Sequence, residues 1–484
     1  MCNPFLPLNE YIPDGEPHVF GDRVYLYGSH DKQGGKRFCE LDYVVYSAEI
    51  NNLEHWDYHG ISYKKSQDPR STESGFADYY APDCVKGNDG RYYLYYVAMG
   101  PNTRNFGPIA VAVSDNPEGP FEYLGDIQNP DGNPVLKYLT NDPAVINDDG
   151  RIYLYYGWGL GRDFRSKLLT PLYNTVQSKL YSRSVKEIKS TKPNILSCAF
   201  AELENDMLTV KSEPISVLDS KTTADKKSEL YNHAFYEAPS IRKFNNTYYL
   251  IYSSGENNEL AYAMSKYPNK GFEYKGVLIS NSDLGYLGNK NRLAPAGTIH
   301  GSIEYINSDY YIFYHRCTHN TDFSRQACME RIMMNSDGTF DQVEVTTQGS
   351  GNSLNKGKYP AAVCCNLYNK KLKKVQGNNH EQGQPNITHG IEGQYITAIS
   401  NGTVIGYKYF DFQQVKRISV TVRKANGYFE ISIKPGKVIS VIQLNYSDDW
   451  QIHKQDISIE DGIKPLYFTY RGKKKAQFLN FEIE

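Results

Sequence analysis

Five copies of one tyrosine-rich hairpin, a scarcity of helical periodicity up to residue 345 and short alternating runs after it predict an all-β chain. The expected architecture is a five-bladed β-propeller over residues 1–345, followed by a linker and a β-sandwich over 346–484.

Each hairpin copy reads as an apolar residue, a turn rich in Gly, Asp or Asn, then a strand dense in tyrosine. The copies are VFGDRVYLYGSHD from Val19, VKGNDGRYYLYYVA from Val85, VINDDGRIYLYYGWG from Val145, IRKFNNTYYLIYSSG from Ile241 and IEYINSDYYIFYHR from Ile303. Gly-Asp, Asp-Gly and Asn-Asn supply the positive φ angles of tight hairpins. Successive copies lie roughly 60 to 95 residues apart, the spacing of four-stranded blades with some long loops. The stretch from about 161 to 231 departs from this pattern. KLLTPLYNTVQSKLYSRSVKEIKSTKP has few strand alternations and many basic and hydroxyl residues, and is expected to be an insertion between blades that forms one wall of a binding site. Beyond about Thr346, QGSGNSLNKGKYP and QGNNHEQGQPN read as connections. QYITAISNGTVIGYKYFDF, KRISVTVRKANGYFEISIKPG, VISVIQLNY and KPLYFTYRG then alternate apolar and polar residues, as sandwich strands do.

Composition narrows the function. Lys plus Arg at 53 nearly balances Asp plus Glu at 55, so no overall field gathers nucleic acid or an anionic membrane, and a neutral partner is expected. Tyrosine, at 42 residues, suits strands and offers a flat face with a polar tip. The eight cysteines lack CxxC spacing and are expected to be reduced thiols. No apolar run is long enough to span a bilayer, and MCNPFLPLNEYIPDGEP lacks the order of a signal peptide, so the expected location is the cytoplasm. Removal of a signal peptide would leave the same sequence, in which case secretion is expected.

The most informative feature precedes each hairpin. About ten to twelve residues before Tyr25, Tyr93, Tyr153, Tyr249 and Tyr311 stand Asp14, Asp83, Asp142, Glu237 and His300, in PDGEP, YYAPD, NDPAV, YEAPS and IHGS. The first strand of a propeller blade lines the central channel, so equivalent positions converge on one axis. Acids beside Pro or Gly are individually ordinary turn residues; five ionisable groups in phase point to a shared pocket. Convergent carboxyls suit hydrolysis of a glycosidic bond, with one as base and another as acid, and a third raising the pKa of the donor by like-charge repulsion.

With these motifs in order over residues 1 to 345, the chain resembles glycoside hydrolase family 43, the five-bladed propeller enzymes that include β-xylosidases, α-L-arabinofuranosidases and arabinanases. The resemblance implies that Asp14 is the general base, Asp142 the residue that raises the pKa of the acid and holds it, and Glu237 the general acid. Glu16, which itself precedes Pro17, is a rival for the base. Tyr80, before Ala-Pro, resembles an aromatic face of the sugar subsite. His300 resembles a histidine near a central water or calcium ion, acting as a metal neighbour through water. Arg316, in FYHR, resembles an arginine that hydrogen-bonds the sugar, with closure of the last blade as its alternative role. No cofactor is needed for the chemistry, although a structural calcium accords with the resemblance. GYKYFDF and VTVRKANGYFEISI resemble a family 6 type carbohydrate-binding β-sandwich, expected to be dispensable for the chemistry because every candidate acid precedes it.

The implied activity is an inverting, exo-acting hydrolase that releases arabinofuranose or xylose from arabinoxylan or from xylo- or arabino-oligosaccharides. Its partner is then a plant polysaccharide or oligosaccharide, without nucleic acid or membrane. Inversion requires Asp14 and Glu237 to stand about 6.5–9.5 Å apart. An endo-1,5-α-L-arabinanase and a non-catalytic sugar-binding propeller are the alternatives.

Overall fold

The computed structural model describes residues 1–73, 78–99, 107–161, 163, 170–255, 258–370 and 383–484. It is all-β in character, with five antiparallel meanders in chain order followed by two further sheets. The first meander holds β1 (Glu16–Phe20), β2 (Arg23–Tyr27), β3 (Tyr43–Glu49) and β4 (Asn52–Tyr63), and the second β5 (Asp78–Lys86), β6 (Tyr92–Met99), β7 (Ile109–Ser114) and β8 (Glu122–Asp126). The third holds β9 (Ala144–Asp148), β10 (Arg151–Gly157), β11 (Ser197–Leu203) and β12 (Ile215–Asp219), and the fourth β13 (Phe235–Phe244), β14 (Thr247–Ser254), β15 (Glu259–Ser265) and β16 (Glu273–Ser280). The fifth has three strands, β17 (Gly301–Ile306), β18 (Asp309–Cys317) and β19 (Arg325–Ile332).

The tyrosine-rich second strands are buried on both faces, which is why they read as continuous apolar runs. In β6, Tyr93, Tyr95 and Val97 pack with Ile152, Leu154 and Tyr156 of the third sheet, while Tyr92, Leu94 and Tyr96 pack with Tyr25 and Tyr27 of the first. Further clusters join the third sheet to the fourth, the fourth to the fifth, and the fifth, through Tyr311 and Phe313, to Val24 and Leu26 of the first. The first strands β1, β5, β9, β13 and β17 touch one another in the same cyclic order.

Tyrosine is used where phenylalanine would fill the space because its hydroxyl ties adjacent sheets together. Tyr27 donates to the Pro117 carbonyl at 2.6 Å, Tyr95 to Met207 at 2.9 Å, Tyr155 to Pro268 at 2.5 Å and Tyr249 to Gly338 at 2.7 Å. Each acceptor lies just after the third strand of the next sheet, so a buried hydroxyl finds its partner across the seam. The N-terminal segment clasps the fifth sheet: Phe5 N–H bonds the Ala327 carbonyl, and the Asn3 amide donates to the Met329 carbonyl at 2.8 Å and to Glu330 at 2.9 Å.

The stretch expected to be an insertion over 161–231 is only partly one. Its later part forms β11 and β12 of the third sheet, whose alternation is masked by small residues in SCAFAEL. The true departure lies between β10 and β11 and includes helices Thr170–Tyr181 and Val185–Ser190, the latter capped by Ser184 and Glu187 in a reciprocal capping box. Residues 162 and 164–169 of the expected insertion lie outside the described residues. Among the described residues no helix is long and apolar enough to cross a membrane. All eight cysteines are free thiols, and only Cys2 is not fully buried.

The two C-terminal sheets enclose one core that includes Ile396, Val420, Phe429, Phe468, Phe478 and Phe481. They are fastened to the preceding sheets by buried polar contacts. Lys408 donates to Asp283 at 3.3 Å and to Glu344 at 2.8 Å, and Arg316 donates to the carbonyls of Cys364 and Cys365 at 3.1 and 3.2 Å.

Candidate active site

In an antiparallel meander the start of the first strand and the end of the second share one face; Glu16 pairs with Tyr27, for example. The site forms on that face, where β1, β9 and β13 begin. Three of its positions have left-handed backbone: Asp14 at φ 58°, Asp142 at φ 45° and Ala238, next to Glu237, at φ 60°. Ala81 at φ 37° is the equivalent in the second sheet. Such residues persist only where surrounding contacts hold them. The Asp14 N–H donates to His315 Nδ1 at 3.1 Å, the Ala81 N–H to Ser29 Oγ at 2.8 Å and the Ala238 N–H to Asp142 Oδ2 at 3.0 Å.

Asp14 is buried and receives Arg325 Nη1 on both carboxylate oxygens at 3.0 Å. The rest of the Arg325 fork grips Asp31, with Nε and Nη2 each 2.9 Å from a carboxylate oxygen, and Phe38 stacks over the guanidinium at 4.7 Å. Burial alone would raise the Asp14 pKa, but the charges of Arg325 and His300 outweigh it and hold the group down at about 2. His315 itself is kept neutral, its pKa lowered to about 3 chiefly by burial. Accepting the Asp14 N–H on Nδ1 leaves its proton on Nε2, 3.2 Å from Thr298 Oγ1.

Glu237 has the opposite environment. Burial, then the negative charges of Asp142 and Asp14, push its pKa up to about 8 against the pull of a 3.1 Å hydrogen bond from Trp158 Nε1. Asp142 rises to about 6, mainly through burial and secondarily through Asp14, with His300 and the Ala238 N–H working the other way. Burial would lower His300, yet Glu16, Asp14 and Asp142 raise it to about 9. At neutral pH the site therefore holds an ionised Asp14, a mostly ionised Asp142, a protonated Glu237 and a cationic His300. Two carboxyls with pKa values forced apart are the arrangement an acid and base pair needs.

Asp14, Asp142, Glu237 and His300 are thus brought within electrostatic range of one another, while Tyr80 lies near Arg325 and Asp31, its hydroxyl pKa raised by burial and then by Cys39 and Asp78. Glu16, the rival for the role of base, opens β1. It is buried in an ion pair with Arg242 at 2.9 Å and accepts the Ser240 hydroxyl at 2.9 Å. Asp83 is out of phase with Asp14: counted from the left-handed residues 14 and 81, it matches Glu16. It is bonded to His18 Nε2 at 2.6 Å and to the Val145 N–H at 2.7 Å.

Arg316 lies away from the site, since its guanidinium is committed to the Cys364 and Cys365 carbonyls. Strand alternation explains the correction. Neighbours on β18 face opposite ways, so in FYHR it is His315 that faces Asp14. The arginine of the site is Arg325, which the sequence reading did not single out. Trp158 was also missed, although YYGWG at the end of a hairpin copy held the signal. Trp158 packs against Tyr236 at 5.9 Å and against Tyr181 of helix Thr170–Tyr181 at 5.8 Å, so the insertion backs an aromatic wall beside Glu237.

Direct coordination of a calcium ion by His300 does not fit this donor set. Calcium takes six to eight oxygens, whereas His300 offers ring nitrogens and stands 3.8 Å from Asp14, already paired with Arg325, and 3.6 Å from Glu16, already paired with Arg242. Glu16, His18 and Asp83 also lie close enough to share an ion; Arg242 and the N–H groups of Cys84 and Val145 bond Glu16 Oε2 and both Asp83 oxygens, while Glu16 Oε1 has no hydrogen-bond partner.

The family model for glycosyl hydrolases family 43 matches residues 3–340. The chain belongs to glycoside hydrolase family 43. A family 43 relative, the xylosidase/arabinosidase of Thermoclostridium stercorarium, is 39% identical over 99% of this chain and 98% of its own length. The xylosidase/arabinosidase 43A of Humicola insolens is 29% identical over 68% of this chain and 96% of its own. Among solved structures, a β-xylosidase/α-arabinofuranosidase of the family from a compost microbial metagenome, in complex with xylotriose, is similar at 26% identity and a TM-score of 0.53, covering 71% of this chain and 97% of that one. Membership in family 43 makes the protein a glycoside hydrolase.

Proposed function

We propose that the protein is an inverting, exo-acting hydrolase that releases xylose or arabinofuranose from arabinoxylan or from xylo- and arabino-oligosaccharides. The observation that carries the hydrolytic chemistry is the contrast between two carboxyls on one face, Asp14 held near 2 by Arg325 and Glu237 pushed to about 8, while inversion rests on the family resemblance. Relatives named xylosidase/arabinosidase support the sugar class. In this reading the five meanders are the blades of a propeller, supported by the cyclic contacts of their first strands, and the two C-terminal sheets are a sandwich resembling the family 6 carbohydrate-binding type.

The reaction is one displacement. Water attacks the anomeric carbon and gives its proton to Asp14, while Glu237 passes its proton to the departing glycosidic oxygen. Asp142 keeps Glu237 protonated until then. His300, between Asp14, Asp142 and Glu16, balances the negative charge in place of a metal, with water as its neighbour. The aromatic wall of Trp158, Tyr181 and Tyr236 favours a pocket over an open groove, hence cleavage from chain ends.

Parallel assays of 4-nitrophenyl β-D-xylopyranoside, 4-nitrophenyl α-L-arabinofuranoside, arabinoxylan and linear arabinan test the proposal. Monosaccharide release with inverted anomeric configuration by NMR is expected. Retention of configuration, or internal cleavage of linear arabinan alone, would sink it.

A further inference from the structure

A groove of about 580 Å³ runs between the N-terminal sheets and the C-terminal ones. Asn9 and Gln33 line one side, and His389, Glu392, Gln394 and Asn480 the other. It opens on the face that carries Asp14. Gln33 belongs to the connection from β2 to β3, which returns on that face and also brings Asp31 and Cys39 to Arg325. Across from it, the hairpin of Asn386–Gly390 and Gly393–Ile399 approaches closely enough that a Cβ on Gly34 would lie 3.7 Å from the His389 ring.

Gln394 is the telling residue. It is only 7% exposed, and its amide nitrogen donates to the Leu8 carbonyl and, at 2.8 Å, to the Tyr11 hydroxyl. Its amide oxygen is buried in the groove lining without a partner. A buried acceptor left without a donor is costly, and a ligand hydroxyl would relieve it. The other polar side chains of the lining are three amides, the His389 imidazole, the Lys358 ammonium and the Glu392 carboxylate, all able to pair with sugar hydroxyls, and fully exposed Ile391 at the hairpin tip offers an apolar edge to the CH face of a sugar ring.

We propose that this junction groove is a second binding site, taking a neutral oligosaccharide segment of the polymer while another segment occupies the site of Asp14 and Glu237. The inference rests on the pentoside-hydrolase reading for its sugar class. The test is affinity electrophoresis of the full chain through arabinoxylan, in a Glu237→Gln background that prevents digestion. Adding Gln33→Ala with Asn480→Ala, or separately Ile391→Asp at the exposed tip, should weaken retardation by about threefold or more, the loss of one or two hydrogen bonds or of an apolar contact. If the double variant fails to fold, Ile391→Asp decides. Unchanged retardation in the folded variants, or a parent that is not retarded at all, overturns the groove. Wild-type hydrolysis of the 4-nitrophenyl pentosides, measured alongside, separates the two ideas: its absence refutes the pentoside reading whatever the gel shows.

Discussion

Asp14 and Glu237 have the same functional group and differ only in surroundings, so their substitutions should differ by substrate. A general acid matters in proportion to how poor the leaving group is, and contributes about 10²–10⁴ in rate. Glu237→Ala should therefore cripple cleavage of xylo-oligosaccharides while sparing much of the activity on 4-nitrophenyl glycosides. Asp14→Asn should depress both alike, because every substrate needs an activated water; asparagine rather than alanine is the cleaner test at φ 58°. The reverse pattern in paired kinetics would exchange the two roles. Arg325→Ala removes the counter-charge of two buried acids, Asp14 and Asp31, at a cost of about 3–5 kcal/mol. Since Arg325 is what chiefly holds Asp14 down, the acid limb of kcat/KM should move to higher pH in that variant. Arg325 was illegible in DFSRQACMERI because its partners are 294 and 311 residues away. Asp14 was legible because its local PDGEP signature travels with the turn it makes.

At the scale of elements, the strands announced themselves and their facing did not. Turn chemistry and tyrosine runs marked the first hairpin of each N-terminal sheet, but which side of β18 meets Asp14 depends on a one-residue phase that FYHR alone cannot fix. Asp83 was grouped with Asp14 through an offset of two residues, since Ala81 is the match of Asp14 and Asp83 that of Glu16. Two elements meet at Glu237, and each should move its titration in its own direction. The start of β9 brings Asp142, whose negative charge raises the Glu237 pKa from its ordinary range towards about 8. Asp142→Asn makes ionisation easier, so the alkaline limb of kcat/KM, where Glu237 loses the proton it must donate, should shift to lower pH. The loop after β10 brings the Trp158 N–H, which stabilises the ionised form. Trp158→Phe should shift the same limb to higher pH. Opposite shifts in the two pH profiles are the check; shifts of equal sign would remove Glu237 from the alkaline limb.

At the scale of the molecule, the C-terminal sheets hold no candidate acid, yet Lys408, Cys364 and Cys365 supply partners to Asp283 and Arg316 across the boundary. A fragment ending at Val345 should keep the acid and base pair while losing stability, because a buried arginine and a buried aspartate forfeit their partners, at about 1–3 kcal/mol for each unsatisfied group. A lowered melting temperature with measurable turnover of 4-nitrophenyl glycosides is expected; an undiminished melting temperature would contradict the tie. The clasp of Asn3 and Phe5 on the fifth sheet has a consequence in time. Asn3 bonds residues 326 and 327 positions further along. On a ribosome adding about 5–20 residues per second, the first strap emerges on the order of 15–65 s before the strand it fastens to. During that interval Phe5 and Leu6, which end in the shared core of the first and fifth sheets, have no seat. The fifth sheet is therefore clasped by a segment made well before it, and the growing chain must keep Phe5 and Leu6 soluble until that sheet exists.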